Sequence, residues 1–109
     1  MNLQIRSKDI TLTDATKAHI EGAVEAFRKY SLEITSINCT VGAEKKGVHV
    51  EFDIHIAHAQ PVVINQNDDS LDAAIDLAIE KGNKALRRLH DKVVDHKNTS
   101  VKDLETLDT

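Results

Sequence analysis

A chain of 109 residues has room for one domain and one core. Its single cysteine, Cys39, excludes an internal disulfide and fits a reducing compartment, and the longest apolar run, Pro61 to Ile64, is far too short to span a membrane. A formal charge of −4 argues against a polyanionic partner unless the charges are segregated.

Leu3 and Ile5 alternate with Asn2, Gln4 and Arg6, which predicts a short strand with one apolar face. The same N-terminal stretch reads as a strand rather than a secretory leader, so a cytoplasmic location is expected. Asp9 to Leu12 turns the chain. Thr13 is a suitable helix N-cap, and Asp14 places a carboxylate in the first turn, where the helix dipole favours it. A first helix is predicted to run to about Tyr30, with Ile20, Ala23, Val24 and Phe27 on its apolar side. From Ile34 the period changes to two, with Ile37, Cys39 and Val41 on one face and Ser36, Asn38 and Thr40 on the other. Glu44-Lys45-Lys46-Gly47 reads as a charged hairpin turn whose glycine supplies a positive φ angle. In the third strand Val48, Val50, Phe52, Ile54 and Ile56 alternate with His49, Glu51, Asp53 and His55. After a turn over Ala57 to Gln60, Pro61 opens a fourth strand with Val62 and Ile64 facing the core. Asn67-Asp68-Asp69-Ser70 is a second cap region, with Ser70 or Asp69 as the cap. A second helix is predicted over about Leu71 to Val94, with an apolar stripe of Leu71, Ala74, Ile75, Ala78, Ala85, Leu86 and Leu89. Asp95 to Thr109 is polar and aperiodic and is read as a flexible tail.

The order β-α-β-β-β-α, with one apolar sheet face and one apolar stripe per helix, predicts an α+β domain in which both helices pack on one face of a four-stranded sheet. The expected division is a folded domain over residues 1–94 and a tail over residues 95–109.

The charges of the second helix are not mixed evenly. At about 100° per residue, Lys81, Lys84, Arg88 and Lys92 fall in one row, a quarter turn from the apolar stripe. Asp72, Asp76 and Glu80 lie elsewhere, mostly opposite the core, and Arg87 stands on the far side of the basic row. On the first helix Lys17 and Arg28 share one side, Lys29 extends the group, and Glu21 and Glu25 dilute it. If the helices lie side by side, the two basic rows are expected to meet along the groove between them. Lysines and arginines on exposed helix faces are also ordinary solvated residues, so their spacing alone does not establish a binding surface. With only Phe27, Tyr30 and Phe52 as aromatics, two of which read as buried, a base-stacking platform is not expected. A nucleic acid would be recognised by backbone and shape.

Other chemistries lack their parts. His49 and His55 share a polar strand face with Glu51 and Asp53, but six residues along a strand separate them by about 20 Å. His58 falls in a turn, and no metal is expected. Cys39 reads as a small buried thiol. There is no nucleophile elbow and no phosphate-cradling glycine loop. Neither catalysis, a cofactor nor a small-molecule substrate is expected.

Four segments occur in order over almost the whole chain: Ile5-Arg6-Ser7-Lys8 before the Thr13 cap; Asp69-Ser70-Leu71-Asp72-Ala73-Ala74-Ile75-Asp76 at the entry to the second helix; the row Lys81, Lys84, Arg88, Lys92; and Thr99-Ser100-Val101-Lys102-Asp103. Together they resemble the short ribosome hibernation factors of the sigma-54 modulation protein family, the group containing ribosome-associated inhibitor A and the hibernation-promoting factor. The resemblance implies a fold akin to a double-stranded RNA-binding domain. It also implies a partner, the small subunit of the 70S ribosome and its rRNA, bound in the channel that holds messenger and the A- and P-site transfer RNAs. Translation would be inhibited there, and idle ribosomes preserved under stress or in stationary phase. Family basic positions carry over to Lys8, Lys17, Lys29, Lys81, Lys84, Arg88 and Lys92. The full RNA-binding set expected here adds Arg28 and Arg87, with tail contacts from Lys97 and Lys102, and the free protein is expected to be a monomer.

The chain departs from the family in having Ala23 and Ala26 where cations are frequent, Asp72 where an aromatic is frequent, and Gly82 where an apolar residue is frequent. A glycine inside a helix costs about 1 kcal/mol relative to alanine. The 15 residues after Val94 resemble the subtype that keeps ribosomes single. The alternatives are the subtype that promotes ribosome dimers, a generic binder of duplex RNA, and a protein-interaction regulator that uses the polar sheet face.

Overall fold

The computed structural model describes residues 2–98. Its elements are β1 (Asn2–Lys8), α1 (Asp14–Ala26), a single 3-10 turn (Phe27–Tyr30), β2 (Ile34–Glu44), β3 (Gly47–Ile56), β4 (Val62–Asp68) and α2 (Leu71–Asn98). The strands lie in the order β1-β2-β3-β4. β1 and β2 are parallel, and the other two pairs are antiparallel. The parallel pair is the one whose connection contains a helix, as parallel neighbours require.

Register explains the two faces. Ile5 pairs with Cys39, Cys39 with Phe52, and Phe52 with Ile64, so an apolar row crosses the sheet. The next positions, Arg6, Thr40, Glu51 and Asn65, form the matching outward row. Ile20, Val24 and Phe27 cover the apolar face together with Ala74, Ile75, Ala78 and Leu86 of α2, and each is 1% exposed or less. Both helices therefore share one core and one sheet face. The rings of Phe27 and Phe52 meet edge to face with centroids 6.3 Å apart, an arrangement that suits their quadrupoles.

The chain departs from the predicted elements in two places. The first helix does not continue as an α-helix to Tyr30. It tightens into a 3-10 turn after Ala26 and stops at Ser31, which takes a left-handed φ of 55° and donates its N–H to the Arg28 carbonyl at 3.0 Å. The second helix does not stop at Val94 but continues through Asn98. Asp95-His96-Lys97-Asn98 contains neither glycine nor proline, and polarity alone does not end a helix. Residues 95–98 thus belong to α2, while the expected tail beyond them, with Lys102, lies outside the described residues.

The β2–β3 turn holds Lys45 and Lys46, followed by Gly47 at φ 149°. A Cβ at Gly47 would run into the Asp68 carbonyl, so close backbone approach as well as dihedral angle calls for glycine here.

Candidate nucleic-acid interface

Both helix starts are pinned by side chains, which sets the angular phase of every residue that follows. The Thr16 N–H donates to Thr13 Oγ1 at 3.1 Å. The Ala73 N–H donates to Ser70 Oγ at 3.4 Å, and the Ser70 N–H to Asp68 Oδ1 at 3.2 Å, so Ser70 is the cap of α2. From that start Ala74, Ile75, Ala78, Gly82 and Leu86 turn inward. Gly82 has a packing reason. The Phe27 ring lies against it, and a Cβ at position 82 would stand 3.0 Å from Phe27 Cζ. The helix cost of this glycine is offset by the close approach of the 3-10 turn to α2.

The surroundings of α2 differ on its two flanks. On one, Lys81 Nζ donates to the Asn65 carbonyl of β4, an edge strand, at 3.2 Å. On the other, His19 Nε2 meets Asp76 Oδ1 at 2.7 Å, and Tyr30 Oη donates to Asn83 Oδ1 at 3.0 Å. α1 and the 3-10 turn therefore lie on the Asp76–Asn83 flank. The row Lys81, Lys84, Arg88, Lys92 is on the side of α2 away from α1, and the basic rows of the two helices do not meet in the groove between them. A helical wheel locates a row relative to its own apolar stripe. Which flank receives the neighbouring helix is decided by strand order, and α2 packs over β3 and β4 while β1 and β2 lie at the other side of the sheet.

The remaining predicted cations are distributed around this frame. Arg28 pairs with Glu25, Nε to Oε1 at 3.0 Å, and both line a shallow depression with Leu3 of β1, on the far edge of the helical layer. Lys17 shares that flank by its spacing. Lys8 ends β1, exposed, at the opposite end of the sheet from the 3-10 turn. Lys29 Nζ stands 5.2 Å from the centroid of the Tyr30 ring. Arg87 is exposed, turned outward between the row and the α1 flank. Lys97 falls within the span of α2.

Charge is also divided along the helix. Asp69 to Glu80 holds four carboxylates and no lysine or arginine, whereas Lys81 to Lys92 holds five cations and one carboxylate, Asp91. That order suits the helix dipole at both ends. Because Phe27 meets Gly82 and Tyr30 meets Asn83, Arg28 and Lys29 sit level with the basic half. Among the described residues the ion pairs are His19–Asp76, Arg28–Glu25, His55–Asp53 and His90–Asp91. Lys81, Lys84, Arg87, Arg88 and Lys92 are exposed and take part in none of them. Spacing alone did not reveal the anchoring residues Gly82, Asn83 and Tyr30. The one signal was a glycine at a core position of an otherwise regular helix.

The outward sheet face offers different chemistry. His55 Nε2 lies 3.2 Å from Asp53 Oδ2, His49 Nε2 hydrogen-bonds Asn65 Oδ1 at 3.1 Å, and His49 also contacts the Asn67 side chain. Glu51 and Asp53 bring negative charge there, which opposes phosphate. Among the described residues no three His, Cys, Asp or Glu side chains gather to hold a metal ion, and no helix is long and apolar enough to cross a membrane. Cys39 is fully buried, and burial pushes its thiol up to about 12, so little thiolate forms at neutral pH.

Three likenesses accompany this geometry. A curated ribosome hibernation promoting factor from Azotobacter vinelandii is 26% identical over 95 residues, which cover 87% of this chain and 88% of that protein. A ribosomal subunit interface protein from Coxiella burnetii has the same fold, with a TM-score of 0.74 at 16% identity over 84% of this chain and 99% of its own. The N-terminal domain of Protein Y from Thermus thermophilus superposes with a TM-score of 0.71 at 21% identity, covering 82% of this chain and 99% of that domain. The family model described as Sigma 54 modulation protein / S30EA ribosomal protein matches residues 3–94, and the chain belongs to that family.

Proposed function

We propose that this protein is a ribosome hibernation factor that grips the rRNA of the small ribosomal subunit with the second half of α2. It acts in the cytoplasm as a monomer, without catalysis. Bound in the channel for messenger and the A- and P-site transfer RNAs, it blocks translation and holds 70S ribosomes single and idle, with Lys97 and Lys102 continuing the contact past the row. The observation that carries this reading is the row Lys81, Lys84, Arg88, Lys92, exposed on one flank of α2 and outside every ion pair among the described residues. Four such cations neutralise several phosphates and release their counterions, which gives affinity to a chain whose overall charge is −4. The family and the name of the Azotobacter relative support the ribosome as the polyanion.

Sedimentation through a sucrose gradient tests it. The protein should travel with ribosomes at low salt, leave them at high salt, and deepen the single-particle peak. Replacing Lys81, Lys84 and Arg88 together with glutamate should abolish co-sedimentation while the circular dichroism spectrum stays unchanged. Undiminished binding by that folded triple variant would remove the proposed face. A shift of single particles into pairs would replace the single-ribosome part of the proposal, and capture of a protein partner after nuclease treatment would move the contact to the sheet face.

A further inference from the structure

Two glycines lie inside helices, and only one has a reason within the chain. Gly82 gives way to Phe27, whereas a Cβ at Gly22 of α1 would meet nothing within 4 Å. The backbone at Gly22 is ordinary helix, so neither a contact nor a dihedral angle calls for glycine there, and the helix bears its cost. With Ala18, one turn away, and with Leu3 and Val24, Gly22 lines a depression of about 450 Å³ between α1 and β1. The exposed carboxylate of Glu21 also lines it and takes part in no ion pair among the described residues.

Beside this depression, β1 is an outer strand. It pairs with β2 alone, so among the described residues the backbone N–H and C=O groups on its other side have no strand to meet. Its inward side chains are incompletely covered as well. Leu3 and Ile5 are half-buried, whereas Ile37 and Cys39, their partners on β2, are fully buried. On the opposite face Arg6 donates along the strand to Gln4 Oε1 at 3.1 Å. An open edge with an apolar, small-residue depression next to it suits an added strand. The edge supplies main-chain hydrogen bonds, and the depression takes one of the alternating side chains. We propose that β1 is a docking edge for an extended segment of a partner protein, apolar where it passes Gly22 and cationic where it meets Glu21. The side chain absent from position 22 is the space that the incoming residue fills. The edge lies across the helical layer from Lys81, Lys84, Arg88 and Lys92 and leaves that row free.

The probe is a phage-displayed library of unstructured peptides of 7 residues, the length of β1, panned against the full chain. Selected sequences should alternate apolar and polar residues and carry a lysine or arginine. Their binding should shift the amide resonances of Asn2–Lys8 and of Ala18–Glu25. Methylating the peptide nitrogens at one set of alternate positions should abolish binding, while methylating the other set should not, because only every second residue of a strand faces its neighbour. Gly22→Leu should weaken the selected peptides about tenfold or more, yet keep or raise the melting temperature, since its side chain meets nothing inside the protein. Glu21→Gln should weaken them about threefold, as loss of an exposed ion pair does. Equal binding by Gly22→Leu, resonance shifts confined to another face, or a library that yields no binder would overturn the proposal. So would a dimer in sedimentation equilibrium that Gly22→Leu dissociates, since the occupant is then a second copy of the chain.

Discussion

The two halves of α2 share one axis and do different work. The first half holds the helix to the body: Ala74, Ile75 and Ala78 are buried, Ser70 caps the end, and its charges are all negative. The stretch from Lys81 to Lys92 displays charge: its buried residues are Gly82 and Leu86, and five of its side chains are cations. Net charge averages over this division and conceals it. For a chain of this size, the sign of the charge at each point along a helix is more informative about a partner than the sum. Packing one half rigidly also means that the other presents its cations from a fixed platform rather than a mobile arm.

Substitutions that separate holding from display put this contrast at risk, and the largest effect should come from the holding half. Ile75→Ala removes a fully buried side chain and is expected to cost about 2–5 kcal/mol in urea unfolding. Its salt slope for ribosome binding should match the parent under conditions where both are folded. A changed slope would show that the halves are not independent. At the junction, Gly82→Leu should destabilise by about 1–2 kcal/mol, an overpacking penalty against Phe27 partly offset by better helix propensity. A gain in stability would mean that the ring gives way easily. The smallest stability effect belongs to the displaying half. Lys84→Gln should change unfolding free energy by less than about 0.5 kcal/mol yet reduce the salt slope by about 1. Loss of stability without loss of slope would reverse the roles assigned to the two halves.

Much of this architecture is legible in the sequence because each element carries a strong period. Alternation identified β3 and its polar face, and 3-4 spacing identified the buried sides of both helices. The spacing of Lys81, Lys84, Arg88 and Lys92 placed them in one row without reference to any neighbour. Relations between elements were less legible. Nothing in the local pattern says that α1 flanks α2 at Asp76 and Asn83, because that follows from strand order, and so the joint groove of cations was expected where none exists. The reason for Gly82 was hidden for the same cause: its partner, Phe27, is 55 residues earlier in the chain. The end of the first helical stretch at Tyr30 was legible, though not its tightening into a 3-10 turn after Ala26, and the end of the second was misplaced because no stop signal stands at Val94.

Lys81 has one more bearing on the molecule. Its ammonium group reaches over β4, a boundary strand with one side unclaimed by any other strand of the sheet, and holds the Asn65 carbonyl. Such a border is a template onto which a foreign strand can zip, and a lysine stationed across it is a familiar deterrent to that kind of growth. A single side chain thereby serves two ends, attraction toward phosphate and protection against clumping, and neutralising it to weaken the first would also expose the protein to the second.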